Sequence, residues 1–338
     1  MPQVIFDKKN ILIIGGAGFI GSHLCEELVK EAKVICVDNF SSSSEANIEH
    51  LLPDQNFVFI NHDISLPLDL EAHAELKKFK VAFQGIQEIY YLACPTSPKN
   101  FAANRLNMLL ANSLGIKNAL DLANRYQAKL LHFSSSVVYG PRPLGTSLKI
   151  KEDFKGIVDN LSERSAYDEG KRFAETMVKN YRDIYKLDTK IIRVFRTYGP
   201  RMTLHDDQML PDFILNAMNN EDLVIFGDEN FSSSFCYVTD VVDAAIKMMA
   251  SVLNGPINVG SDEDVKLSEI ANLIIAELGS SSKIVYSEQK LFMSELPLPD
   301  ITIAKNDLSW MPVVTLANGL KKTVFDLEAK RQLKGFGE

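Results

Sequence analysis

Short apolar runs alternate with amphipathic stretches over the first 195 residues of the chain. Six runs have the length of a strand and are apolar on both faces: residues 11–14, 34–37, 57–60, 88–93, 129–134 and 190–195. Four stretches between them carry apolar residues at helical spacing and predict helices: residues 19–31, 70–80, 105–126 and 166–185. Strands that are apolar on both faces and alternate with helices indicate a parallel sheet covered on both sides. We therefore predict an α/β fold with a doubly wound parallel sheet.

The pattern changes after residue 196, where prolines and glycines interrupt shorter elements. A strand-like run at 223–226 and helical stretches at 241–253 and 268–278 belong to this part of the chain. We predict a sheet domain at 1–195 and a smaller region at 196–338. The smaller region is expected to lie over the carboxyl ends of the strands, where ligands bind in open α/β sheets.

A glycine-rich turn, GGAGFIG at residues 15–21, follows the first predicted strand and opens a helix. Gly15 permits a tight turn, Gly18 lets the backbone approach a pyrophosphate, and Gly21 lets the helix pack closely on the strand. The amides and the positive dipole end of that helix would face the phosphates. Because the next strand ends in Asp38, 23 residues beyond Gly15, the turn predicts a dinucleotide site in a Rossmann-type domain.

The identity of the dinucleotide follows from Asp38. Its carboxylate can accept hydrogen bonds from both ribose hydroxyls of adenosine and would repel a 2′-phosphate, so we predict NAD rather than NADP. Asp63, after the third strand, is a candidate contact for the adenine, and a plain loop carboxylate is an equally good interpretation. The residues predicted to bind NAD are Gly15, Gly18, Phe19, Ile20, Gly21, Asp38, Asn39, Asp63, Ile64, Leu92, Ala93, Tyr167 and Lys171.

A phenol and an ammonium lie four residues apart at Tyr167 and Lys171, so on a helix they share one face. A free phenol titrates near pH ~10, and a neighbouring ammonium is predicted to lower the pKa of Tyr167 towards the range of a general base. The fifth predicted strand ends in SSSVVYG, residues 134–140. A serine hydroxyl there could hydrogen-bond the alcohol of a substrate.

The glycine turn, the SSSVVYG strand end and the YDEGK helix at 167–171 resemble those of the extended short-chain dehydrogenase/reductases that act on nucleotide-sugars. The chain is most similar to the UDP-glucuronate decarboxylases in this group. The further segments that carry the similarity include LACPTSP at 92–98, TYGPRM at 197–202, FCYVTD at 235–240 and INVG at 257–260.

The resemblance implies a catalytic set. In that family a tyrosine takes the proton of the C4 hydroxyl of the sugar while hydride passes to NAD, a lysine holds the nicotinamide ribose, and a serine or threonine shares the hydroxyl proton. These roles fall on Tyr167, Lys171 and Ser135. The resemblance also implies a homodimer in which two long helices pair with their copies.

Four departures from the decarboxylase pattern affect the predicted reaction. Val137 stands where the decarboxylases have a glutamate, and the run LPLPD at 296–300 lacks their arginine. Ser233 replaces a diphosphate-binding arginine, and Arg196 replaces an asparagine. A strand end without the carboxylate is more similar to that of the 4-epimerases, which oxidise C4 and return the hydride to the other face.

We therefore predict an NAD-dependent enzyme that oxidises C4 of a nucleotide-sugar, as a 4-epimerase or 4-dehydrogenase. A UDP-glucuronate decarboxylase is the alternative, and a non-catalytic NAD-binding protein is an alternative of another class. Ser136, Arg196 and Arg201 are predicted to bind substrate, because guanidinium groups bind phosphates and carboxylates through paired hydrogen bonds. For Arg196 a structural salt bridge is equally compatible with the sequence.

Composition narrows the possible partners. The 338 residues include 36 Lys+Arg and 44 Asp+Glu, and the net charge of −8 argues against a nucleic-acid surface. Four scattered cysteines indicate neither a disulfide framework nor a zinc site, so we expect a cytoplasmic protein. We predict no membrane span and, from the spacing of the six histidines, no metal. His132, in the fifth strand, is predicted to be a hydrogen-bonded core residue.

Overall fold

A seven-stranded parallel sheet forms the centre of the molecule. The computed structural model describes residues 8–142, 148–204, 206–288 and 296–335, with side chains as far as residue 332. The strands of the sheet are β1 (Asn10–Ile14), β2 (Lys33–Asp38), β3 (Phe57–Asn61), β4 (Glu88–Tyr91), β5 (Lys129–Ser135), β6 (Thr189–Val194) and β7 (Ile257–Val259). Their order is β7-β6-β5-β4-β1-β2-β3, and every neighbouring pair is parallel.

This order confirms the predicted doubly wound sheet. The strand order reverses between β1 and β4, and in such sheets a crevice opens there at the carboxyl ends of the strands. Alternate residues of β1 enter different cores, with Ile11 and Ile13 on one face and Leu12 and Ile14 on the other. All four are at most 2% exposed, which explains why the strands are apolar throughout.

Helices cover both faces of the sheet. The helices of the described residues are α1 (Phe19–Leu28), α2 (Val81–Gln84), α3 (Phe101–Leu110), α4 (Ile116–Tyr126), α5 (Ser165–Tyr185), α6 (Met209–Met218), α7 (Val238–Ala250), α8 (Leu267–Leu278), α9 (Thr302–Asp307) and α10 (Leu316–Gly335). A π-helical turn at Ala111–Gly115 joins α3 to α4. The predicted helix at 105–126 is thus continuous but begins at Phe101. None of the helices in the described ranges is long and apolar enough to cross a membrane.

The segment at 70–80, predicted as a helix, is not α-helical. It forms two 3₁₀ segments, Leu70–Ala72 and Ala74–Phe79. The backbone of His73 between them is extended (φ −81°, ψ 115°), and Lys80 is left-handed (φ 54°) and ends the second. The apolar side chains that suggested a helix are nevertheless buried in the core beneath β2 and β3.

Part of the region 196–338 belongs to the sheet domain. β7 extends the sheet beside β6, and α7 packs next to α1 in the same apolar core. The helices α6, α8 and α10 share a separate core. The predicted strand at 223–226 is present as Leu223–Phe226 and pairs with Ile284–Ser287. The further short pairs are Thr197–Tyr198 with Cys236–Tyr237, Ser232–Ser233 with Val265–Lys266, and Lys149–Ile150 with Leu298–Pro299.

Candidate functional site

The turn between β1 and α1 is shaped by its glycines. Gly15 has φ +85°, and a Cβ there would lie 2.7 Å from the amide nitrogen of Ala93. A Cβ at Gly21 would overlap the carbonyl oxygen of Gly15, so α1 packs directly against the turn. At Gly18 the backbone is ordinary (φ −69°), and a Cβ would contact only the Gly15 carbonyl, at 3.2 Å. Since Gly18 lines the cleft, its missing side chain leaves the backbone open to a ligand.

Two adjoining cavities form a cleft at the carboxyl ends of the strands. The larger has a volume of about 430 Å³ and the smaller about 140 Å³. Gly15, Gly18, Leu92 and Cys94 line both. All the residues predicted to bind NAD lie along this cleft: Phe19, Ile20, Gly21, Tyr167 and Lys171 in the larger cavity, Asp38, Asn39, Asp63, Ile64 and Ala93 in the smaller, and Gly15, Gly18 and Leu92 in both.

Carboxylates line the smaller cavity, which is the predicted adenosine end of the cleft. Asp38 accepts hydrogen bonds from the amides of Ala17 (3.0 Å) and Phe40 (2.9 Å) and from the Ser43 hydroxyl (2.7 Å). These bonds fix the carboxylate at the end of β2, beside the glycine turn. Partial burial opposes the ionisation of Asp63, but hydrogen bonds from Ser65 and Asn39 together with the nearby His62 outweigh it and lower the pKa of this carboxyl. The glycine cradle and a hydroxyl-accepting carboxylate together fit NAD.

The predicted catalytic residues meet in the larger cavity. Tyr167 and Lys171 lie one turn apart on α5, and Ser135 is the last residue of β5. The Tyr167 phenol is hydrogen-bonded to Ser135. Lys171 is 4% exposed and donates from Nζ to the carbonyl of Phe133 at 2.8 Å. This arrangement can hold a substrate alcohol between a hydroxyl and a phenol.

The acid–base properties of Tyr167 differ from the sequence prediction. Burial raises the pKa of the phenol, as does the neighbouring Cys94 thiol, and the Ser135 hydrogen bond offsets only part of this. Burial also lowers the pKa of Lys171. The prediction that Lys171 lowers the pKa of Tyr167 is wrong in this structure, because the ammonium is directed at the Phe133 carbonyl and burial dominates.

A polar network supports the end of β5. The Ser134 hydroxyl donates to Glu175 at 2.6 Å, and Arg193 forms an ion pair with the same carboxylate at 2.8 Å. Arg193 also donates to the Tyr139 hydroxyl at 2.9 Å. The network joins β5, α5 and β6 beside Ser135. It therefore restrains the end of β5, where the Ser135 hydroxyl lies opposite Tyr167.

His132 is a correction to the sequence analysis. It is fully buried in β5, and neither ring nitrogen has a hydrogen-bond partner among the described residues. Burial, and then the charge of Lys171, hold the pKa of the imidazole well below its ordinary value. The side chain is therefore a neutral core residue but not a hydrogen-bonded one. Within the described ranges no group of three or more His, Cys, Asp or Glu side chains could hold a metal ion.

The predicted substrate residues separate in the structure. Ser136 and Arg196 line the larger cavity, as do Val137 and Leu296. Arg201 lines neither cavity. Its backbone is left-handed (φ 71°), its amide donates to Asp326 at 2.8 Å, and its guanidinium pairs with Glu26 of α1. The structure therefore does not bring Arg201 to the cleft with the other predicted substrate residues.

Among the cavity residues that the sequence analysis did not predict, two act electrostatically on Tyr167. Cys94 follows β4, accepts a hydrogen bond from Asn112 at 3.2 Å, and lies near both Tyr167 and Lys171. Arg164 directly precedes α5 and lines the larger cavity, paired with Asp168 at 3.4 Å. Its position three residues before Tyr167 was a usable signal, because residues at that spacing share a helix face.

The chain is similar to known proteins over most of its length. The model of the NAD dependent epimerase/dehydratase family matches residues 11–260. UDP-glucuronic acid decarboxylase 1 of Xenopus tropicalis is 37% identical over 94% of this chain and 72% of its own length. UDP-glucose 4-epimerase of Thermotoga maritima, solved with UDP-glucose, superposes with a TM-score of 0.81 at 25% identity over 95% of this chain and 99% of that one.

A further solved structure contains the predicted cofactor. UDP-glucuronic acid 4-epimerase of Bacillus cereus, in complex with UDP-glucuronic acid and NAD, superposes with a TM-score of 0.79 at 26% identity, over 95% of this chain and 99% of that one. The prediction of NAD as the cofactor is confirmed by the family match. From its glycine turn to β7, the chain belongs to the NAD-dependent epimerase/dehydratase family.

Proposed function

We propose that the protein oxidises C4 of a nucleotide-sugar with NAD, as a 4-epimerase or a 4-dehydrogenase. The observation that carries the proposal is the meeting of Ser135, Tyr167 and Lys171 in a cavity continuous with the predicted NAD cleft. The similarity to UDP-sugar 4-epimerases and to UDP-glucuronic acid decarboxylases supports a nucleotide-sugar as the substrate.

Three side chains of the protein have separate roles in the oxidation. Tyr167 takes the proton of the C4 hydroxyl, and Ser135 holds that hydroxyl through a second hydrogen bond. Lys171 lines the cavity, where its ammonium can hold the ribose hydroxyls of the nicotinamide end. NAD supplies the hydride acceptor and, in its oxidised form, a positive charge that favours the phenolate.

The cavity wall favours an outcome without decarboxylation. Val137 is apolar and 5% exposed, so no carboxylate acts from this position. Leu296 lines the cavity in the run where the decarboxylases carry an arginine. An epimerase or dehydrogenase needs neither group, because its chemistry ends with the removal or return of hydride at C4.

Decarboxylation is the second candidate, because the curated relatives with this name are 34–37% identical to the chain over the aligned residues. Oxidation of a glucuronate at C4 makes a β-keto acid, which can lose carbon dioxide without a dedicated acid. A panel of UDP-, GDP-, dTDP- and CDP-sugars, followed by product mass, separates the outcomes. Unchanged mass identifies an epimerase, loss of two hydrogens a dehydrogenase, and loss of carbon dioxide a decarboxylase.

The Tyr167→Phe variant tests the chemistry itself. We expect it to lower the rate of sugar oxidation by about a thousandfold while NAD still binds, because only the proton acceptor is removed. Lys171→Ala should weaken both oxidation and NAD binding. Tyr181→Phe is the matched control on α5, since its hydroxyl bonds Asp121 away from the cleft. A Tyr167→Phe protein with more than a tenth of the wild-type rate contradicts the proposal, and a protein that binds NAD but oxidises no sugar of the panel supports the non-catalytic alternative.

We also propose a cytoplasmic location. All four cysteines are free thiols, and three of them are buried, which supports a reducing compartment.

A further inference from the structure

Arg196 is a cation without an acidic partner in the larger cavity. No described carboxylate lies within ion-pair distance of its guanidinium, which contacts the Met209 sulfur at 4.0 Å and the Phe235 ring at 5.5 Å from its centroid. The nearby buried carboxylate Asp206 accepts hydrogen bonds from Ser97 and Gln208 instead. An uncompensated charge on a partly buried side chain is unfavourable, and an anionic ligand would remove that cost.

Other arginines in the interior of the protein are paired. Arg142 is bound by Asp264 at 3.3 Å, and Arg193 by Glu175 at 2.8 Å. Arg164, which pairs with Asp168, brings a second positive charge close enough to Arg196 to disfavour its protonated form. Burial together with Arg164 lowers the pKa of Arg196 to about 10, so the guanidinium is still charged at neutral pH.

The register of the sheet locates this charge at the reacting end of the cavity. Ser135 of β5 is level with Val194 of β6, and Arg196 lies two residues further along the chain. Arg164, Tyr167 and Arg196 line the same cavity, and Arg164 acts electrostatically on both of the others. In a pyranose whose C4 hydroxyl meets Tyr167, the diphosphate at C1 is on the opposite side of the ring. The substituent on C5 is adjacent to C4.

We propose that Arg196, assisted by Arg164, forms an anion subsite that makes the cavity discriminate in favour of a carboxylate on C5 of the sugar, at a position where the decarboxylases have an asparagine. The proposal rests on the proposed function, because the orientation of the sugar follows from Tyr167 acting at C4. It assigns the recognition of the carboxylate to the end of β6, away from the run at 296–300 where the decarboxylases carry their arginine.

Calorimetric titration of the NAD-loaded Tyr167→Phe protein tests the subsite without turnover. We expect UDP-glucuronate to bind at least about tenfold more tightly than UDP-glucose, and Arg196→Gln to remove that preference while changing UDP-glucose affinity less than about threefold. Arg196→Lys should restore the preference in part, because it keeps the charge but not the paired hydrogen bonds. Arg201→Gln is the matched control, since Arg201 lines neither cavity, and it should change neither affinity.

The outcomes separate this proposal from the function it rests on. If Arg196→Gln weakens UDP, UDP-glucose and UDP-glucuronate equally, the guanidinium binds the diphosphate and the uronate proposal is overturned. Equal binding of the two sugars by the parent protein, or binding of neither, overturns it as well. If the wild-type enzyme oxidises neither sugar although the Arg196-dependent preference is present, the subsite stands and the proposed reaction fails. Removal of Arg196 breaks no ion pair with a described residue, so the variant is expected to fold.

Discussion

Polar side chains buried along β5 differ in whether the fold gives them hydrogen-bond partners. Ser134 donates to Glu175, whereas His132, two residues earlier, is fully buried with no partner for either ring nitrogen in the described part of the chain. Because the imidazole is held neutral in the folded state, the unfolded chain binds a proton more readily below pH ~6.5. The protein therefore loses stability as the pH falls through that value, and above it this histidine contributes no pH dependence.

Replacement of this histidine tests the argument. We expect His132→Leu to be more stable than wild type by about 1 kcal/mol at pH 8, since it removes two unsatisfied nitrogens. The gain should grow by about 2 kcal/mol at pH 5, because only the wild type is destabilised by protonation of its unfolded chain. Thermal melting at both pH values measures the difference, with His73→Leu, at a partly exposed position, as the control. An equal gain at both pH values would show that the imidazole is not held neutral by burial.

The position of a site residue could be predicted from the sequence only where local spacing determines it. The pairing of Tyr167 with Lys171 follows from helical periodicity, and the structure places both in the cleft. The directions of Arg196 and Arg201 do not follow from spacing. Arg201 is turned towards Glu26 by a left-handed backbone, whereas Arg196 enters the cavity from the end of β6. Neither environment is visible before the chain is folded.

Elements were predicted well where a strong periodic pattern extended over a full strand or helix. β2 and β5 differ from the predicted runs by at most one residue at each end. The sequence analysis missed β7 because the strand has only three residues, too few for a periodic pattern. Its extended conformation depends on pairing with β6, which only the folded chain shows. The segment at 70–80 has apolar spacing that suits a helix, but the extended backbone of His73 interrupts it.

The β1–α1 turn allows a prediction that separates folding from cofactor binding. Gly21→Ala places a methyl group against the Gly15 carbonyl and should lower the melting temperature by at least about 5 °C. The methyl group of Gly18→Ala would contact only the Gly15 carbonyl oxygen, at 3.2 Å, so this variant should have a nearly unchanged melting temperature. It should weaken NAD binding by about tenfold or more, because its methyl group occupies the approach of the pyrophosphate. Melting curves and NAD titrations of both variants measure these effects, and a Gly18→Ala protein with wild-type NAD affinity contradicts the assignment of the turn.

On the scale of the whole molecule, α3 and α5 leave an apolar surface uncovered. Leu106, Leu110 and Leu114 follow one another at four-residue spacing along α3 and the π-helical turn, with exposed fractions of 72%, 40% and 48%. Phe173 on α5, which packs beside α3, is 48% exposed. Large apolar side chains clustered on one face commonly mark an interface. The same α5 carries Tyr167 and Lys171, so contacts on this face would also hold the catalytic helix against the sheet.

We therefore propose that two copies of the chain pair through α3 and α5 about a twofold axis, so that the same face of each copy is covered. Wild-type protein at micromolar concentration should have the mass of a dimer in light scattering coupled to size exclusion. Leu106→Glu combined with Phe173→Glu should yield a monomer, because each twofold contact would bury four carboxylates.

Val252→Glu introduces the same charge at a side chain that is 92% exposed and lies after α7, and it should leave the dimer intact. A monomeric wild type, or a double variant that still dimerises, would show that this apolar face is not the interface. If the dimer does stabilise α5, the monomeric variant should also oxidise sugar more slowly, while its NAD affinity, set largely by the β1–α1 turn and β2, changes less.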